Sequence, residues 1–147
     1  MYLRTAAALT FAAFATTAFA QGTEAPADAQ LYFIGLEDGD TVSSPVIVRF
    51  GLSGMGVAPA GTEKEMTGHH HLLIDRAPLG QGEMGEEELT SALPSDDNHR
   101  HFGGGQTEVT LELPPGKHTL QLVLGDWIHL AHDPPVISKK ITVTVKE

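Results

Sequence analysis

From Thr107 to Asp126 the chain reads TEVTLELPPGKHTLQLVLGD, and its apolar residues fall on every second position twice over: Val109, Leu111, Leu113, then Leu120, Leu122, Leu124. A period of two places alternate side chains on opposite faces of an extended strand and cannot line one face of a helix. Pro114, Pro115 and Gly116 interrupt the run and turn the chain. LYFIG (31–35), VIVRFGLSG (46–54) and VISKKITVTVK (136–146) are equally short, and turn residues such as Asp38-Gly39 and Ser44-Pro45 separate the first two. With TGHHHLLID (67–75) they make six strands. GEEELTSAL (85–93) offers one or two helical turns before Pro94, and the acid run Glu86 to Glu88 reads as a solvated face. No long helix and no repeat is present. The expectation is all-β: one immunoglobulin-like β-sandwich of about six or seven strands over residues 31–147.

The first twenty residues, MYLRTAAALTFAAFATTAFA, carry Arg4 before an alanine-rich apolar stretch that ends in small residues. That layout reads as a signal peptide, and the stretch is too short for a membrane anchor. The expected product starts at Gln21 with a flexible leader, QGTEAPADAQ (21–30), and is periplasmic or secreted with no membrane insertion. Loss of Arg4 with residues 1–20 takes the formal net charge from −10 to −11. Such a field repels nucleic acid and anionic membranes and attracts cations. Without cysteine there is neither a disulfide framework nor a thiolate ligand or nucleophile.

The strand at 67–75 opens with three consecutive histidines in a chain that holds eight. In a sandwich it pairs antiparallel with the strand at 118–126, which sets His69, His70 and His71 beside Leu124 to Trp127. The loop carrying His129 and His132 leaves from the same place. His99 and His101, in NHRHFGGGQT, precede the 107–113 strand and reach that end whether PPGK makes a hairpin or crosses between sheets. All the histidines but His118 therefore gather at one pole. Alternation groups His69, His71, Leu73 and Asp75 on one face and His70, Leu72 and Ile74 on the other. Both faces are apolar here, so alternation leaves open which one is the core. If Leu72 and Ile74 face it, His70 becomes a hydrogen-bonded residue at the core edge, and His69 and His71 project together as a His-x-His metal pair.

The candidate metal ligands are His69, His71, His129, His132 and His101, followed by His70, Asp126, Met55 and Met66. Neutral imidazole suits Cu(II), Zn(II) and Ni(II), and the thioethers of Met55 and Met66 suit Cu(I). The expected cofactor is a copper ion, with zinc as the other option. The competing reading is a polar network without an ion, in which ring nitrogens bond Asp75, Asp126 and backbone groups and the methionines fill gaps. GHHHLLID offers bases and HFGGGQ free backbone N–H groups, but no serine lies in a nucleophile elbow, so no catalytic residue is assigned. The expected role is carriage or tolerance of a metal rather than catalysis. The alternative is a metal-free envelope interaction module whose loops 55–68, 99–106 and 127–135 bind a protein or glycan.

GMGVAPAGTEKEMTGHHHLLID, HFGGGQTEVTLELPPGKHTLQLVLGDWIHLAHDPPV and ISKKITVTVK resemble a family of short exported bacterial proteins known as domain of unknown function 4399. The likeness spans about residues 31–146 and implies one exported domain. PGKHTLQLVLGDWIH before a closing strand also resembles the end of periplasmic copper-resistance proteins of the C type. By that resemblance Asp126 and His129 would match the aspartate and histidine offered to Cu(II). Two residues separate them here where that family has one, and its N-terminal histidine is missing; the triple histidine could replace it.

Overall fold

A computed structural model describes residues 22–147; the signal peptide expected at 1–20 lies outside the described residues. The chain forms β1 (Gln30–Ile34), β2 (Thr41–Val42), β3 (Val46–Ser53), β4 (Gly56–Val57), β5 (Thr67–Ile74), a 3-10 turn (Gly85–Leu89), β6 (His99–His101), β7 (Glu108–Leu111), β8 (Gly116–Gly125) and β9 (Ile141–Val145). Two sheets result, as in a β-sandwich: β1-β3-β7, and β2-β9-β8-β5 with β4 and β6 both on the outer side of β5. The Pro-Pro-Gly turn is a crossing between sheets, because β7 pairs with β3 while β8 pairs with β5 and β9. The 136–146 segment is only partly a strand. Ser138 Oγ accepts from the Leu122 N–H at 2.8 Å, in place of a ladder carbonyl, and regular pairing resumes at Ile141.

The alternating residues meet between the sheets, where Val48, Phe50 and Leu111 pack on Leu72, Leu120, Leu122, Leu124 and Val143, all buried. Leu73 and Val123 point the other way and are buried as well, beneath Leu79, Leu93 and Ala131. The excursion between β5 and β6 thus lies over the outer face of the large sheet. Its cover explains why Leu72, Leu73 and Ile74 are apolar on both faces of β5.

Two segments depart from the sequence reading. Residues 22–29, expected as a mobile leader, dock on the domain: Ala25 is buried, Glu24 bridges to Asp133, and Thr23 Oγ donates to Asp126 at 2.9 Å. Composition hides this because one small side chain and a few backbone bonds hold the segment down. In the acid run Glu86 and Glu87 are exposed, but Glu88 is buried and ion-paired with Arg76 at 2.5 Å.

His118 marks the pole away from the other histidines. Its Nδ1 lies 2.7 Å from Asp75 Oδ2 and its Nε2 2.8 Å from the Pro114 carbonyl, two acceptors that together call for both ring protons. Burial opposes the charge, but the Asp75 hydrogen bond, the carbonyl and the Asp75 charge raise the His118 pKa above its ordinary value. A raised folded-state pKa stabilises below the unfolded value near 6.5 and fades as pH rises through the raised value. The melting-temperature gap between wild type and His118→Gln should therefore be widest near pH 5.5 and narrow toward pH 8; a gap that widens with pH would contradict the assignment.

Candidate metal centre

Register builds the centre. On β5, His69 faces Gly125 and His71 faces Val123 of β8; on its other side His71 faces His101 and Leu73 faces His99 of β6. Residues directly opposite share a face, so His69, His71, His99 and His101 all lie on the outer face. His69, His71 and His101 offer ligand atoms within 4.8 Å of one another, a group that could hold a metal ion.

His129 joins from the loop after β8. Asp126 shapes that loop: its Oδ1 accepts from the N–H groups of Ile128 and Leu130, and its Oδ2 from the N–H and hydroxyl of Thr23. The turn brings His129 round at φ 71°, in the left-handed region, and the Leu93 N–H bonds its carbonyl at 2.7 Å. The His129 ring centroid then stands 5.0 Å from that of His69, 4.8 Å from His101 and 6.4 Å from His71. Asp126 is thus placed as a loop clasp, with both oxygens already accepting.

The other sequence candidates lie elsewhere. His132 donates Nδ1–H to the Thr23 carbonyl at 3.0 Å, which leaves a bare Nε2. That nitrogen sits 2.9 Å from where a Gly68 Cβ would be, and the same Cβ would meet Leu124, on the inter-sheet face. The structure therefore separates His132 from His69 and His71 by the thickness of the sheet. His70 also faces inward, its ring 5.1 Å from Phe50. The hydrogen bond expected for it is not made: neither ring nitrogen closes one, although the Gln106 backbone lies near enough to favour the protonated ring. Met55 packs on the inter-sheet core, and Met66 is exposed.

Arg76 and Glu88, which the sequence reading did not bring to the histidines, enter the centre from behind through His99. Glu88 holds Arg76, Arg76 Nη1 lies 3.2 Å from His99 Nδ1, His99 Nε2 lies 3.1 Å from His71 Nδ1, and His71 Nε2 lies 3.0 Å from His69 Nε2. Only tertiary contact links Glu88, Arg76 and His99 to the His69 and His71 pair, so no spacing announces that link. Two glycines make room. A Cβ on Gly125 would stand 2.9 Å from His71 Nε2, and one on Gly103 would stand 2.4 and 2.6 Å from His101 ring atoms.

Burial keeps His69, His71 and His99 neutral. It is the largest cause pushing His71 down to about 2, aided by His99, His69, His101 and His129. It also lowers His69 to about 4, with His101 and His129 adding and Asp126 opposing, and lowers His99 to about 4, with Arg76 adding. Neutral imidazole is the form that binds a metal.

Two outcomes follow. Because these folded-state values lie below 6.5, the metal-free protein should lose stability steadily as pH falls below about 6.5; a midpoint in urea unchanged from pH 7 to pH 5 would contradict neutral burial. Gly103→Ala should cost about 1–3 kcal/mol of stability through overpacking and displace the His101 ring; His101 resonances identical to wild type would show that the ring does not need that space.

A family model described as a domain of unknown function (DUF4399) matches residues 48–146, from within β3 through β9. No curated protein and no solved structure matches the chain. The chain belongs to the DUF4399 family, a domain of unknown function.

Proposed function

We propose that this protein binds one transition-metal ion, copper in preference to zinc, through His69, His71, His101 and His129, and serves metal carriage or tolerance in the periplasm. Ring geometry is the observation that carries the reading. Five of the six centroid separations among these rings lie between 4.8 and 5.0 Å, and the sixth, His71 to His129, is 6.4 Å. With metal–nitrogen bonds of about 2.0 Å, a tetrahedral ion would set all six near 5.1 Å, and a trans pair would stand at about 6.3 Å. One pair is thus disposed across the centre. His69 Nε2 and His71 Nε2, 3.0 Å apart, would subtend a little over 90° at an ion about 2.0–2.1 Å from each. An all-imidazole set with a trans pair suits Cu(II) better than tetrahedral Zn(II).

The likeness of PGKHTLQLVLGDWIH to the copper-resistance proteins supports the same metal. Asp126 departs from that likeness: with both oxygens already accepting, it positions His129 instead of ligating. The acidic net charge favours cation capture, and an exported protein meets metal without cytosolic thiols to compete for it.

Calorimetric titration of the untagged, metal-free protein tests this. Cu(II) should bind at one ion per chain and more tightly than Zn(II), with nitrogen hyperfine structure in the electron paramagnetic resonance spectrum. His69→Ala/His71→Ala should abolish the binding, and His129→Ala should weaken it at least about tenfold, the loss of one coordinating group. Equal binding by wild type and the double variant would reject the site.

A further inference from the structure

The line from Glu88 to His69 has a direction. Arg76 carries only donors, so His99 Nδ1 must accept from it. Neutral His99 then holds its proton on Nε2 and donates to His71 Nδ1 at 3.1 Å. His71 in turn holds its proton on Nε2, the nitrogen 3.0 Å from His69 Nε2, which must accept. His69 is left with its proton on Nδ1, buried and without a protein partner. Of the two β5 ligands, His69 already presents a bare Nε2, and His71 presents a protonated one. Histidine ligands are ordinarily arranged the other way, the distal N–H donating to a carboxylate or carbonyl.

Resting on the metal-binding reading above, we propose that Arg76, clamped by buried Glu88, acts through His99 as a positioning residue that holds the His71 proton on the nitrogen facing the centre and so keeps metal affinity below what the rings alone provide. A neutral His71 can offer Nε2 to an ion only with its proton on Nδ1. That sends His99 Nδ1–H against the Arg76 guanidinium, donor against donor. Glu88 is 2 % exposed and also accepts from the Gly80 N–H, so Arg76 cannot easily withdraw. The device favours reversible loading over irreversible capture, as carriage requires.

Two readouts test this at one fixed neutral pH. Long-range proton–nitrogen correlation spectra of the metal-free protein report which ring nitrogen of His71 and His99 is protonated. Wild type and Arg76→Lys, which keeps a pure donor, should show Nε2–H on both. Arg76→Gln/Glu88→Gln supplies an acceptor and leaves no unpaired carboxylate; there His71 should move to Nδ1–H, and Cu(II) should bind roughly 5- to 100-fold more tightly, the range for relieving one buried donor clash. A merely structural arm would weaken binding instead. Nδ1–H on His71 in wild type, or unchanged or weaker Cu(II) binding in a folded double variant, overturns the proposal. If the double variant does not fold, the wild-type spectrum still decides. If wild type binds no Cu(II), the metal-binding reading falls, and the spectra alone judge the relay.

Discussion

Everything at the histidine pole depends on the register of β5 against β8. With His69 opposite Gly125 and Leu72 opposite Leu122, the leucines close the inter-sheet core and the odd-numbered histidines turn outward. A slip by one residue would exchange the faces, sending His69 and His71 into the core and Leu72 out of it. Leu120, Leu122 and Leu124 oppose that slip from β8. The excursion over residues 76–98 then covers the outer face on which His69, His71 and His99 are fully buried, while His101 and His129 stay half-buried. The apolar core and the polar centre are therefore consequences of the same pairing.

Much of this was legible in the residues. The alternation in TEVTLEL and HTLQLVL located β7 and β8, and antiparallel pairing alone placed His69 to His71 beside the loop that carries His129. The choice between faces was not legible, because Leu73 needed a second apolar layer that Leu79 and Leu93 supply from distant sequence. The strand character of His99 to His101 was hidden for the same reason: three residues between Asn98 and Phe102 pair only because β5 has an open edge. Spacing also grouped His129 with His132, whereas the Asp126 clasp turns the first toward the outer face and the Thr23 carbonyl holds the second on the other side of the sheet.

The histidine pole is expensive to keep. His70 leaves both ring nitrogens without protein partners in an aromatic setting, and His69 Nδ1, His101 Nε2 and His132 Nε2 are likewise buried and unpaired. Each unpaired buried polar group costs about 1–3 kcal/mol. A sandwich selected for stability alone would fill these positions with aliphatic side chains. Leu72, Leu120, Leu122 and Val143 offset the cost through the adjoining core, so the two layers of the large sheet divide the work between cohesion and chemistry.

The docked segment at Gly22 to Ala25 has a practical side. Thr23 touches both Asp126 and His132, so the first described residues of the segment lie at the histidine pole. Val145, the last residue of β9 and paired with Gly116, stands at the opposite pole, most of the ten-residue length of β8 away, roughly 30 Å at 3.3 Å per residue. A fluorophore, surface linker or purification handle attached after β9 would stay clear of the centre, whereas a polyhistidine handle joined to the Gly22 to Ala25 segment would add competing imidazoles at the same pole.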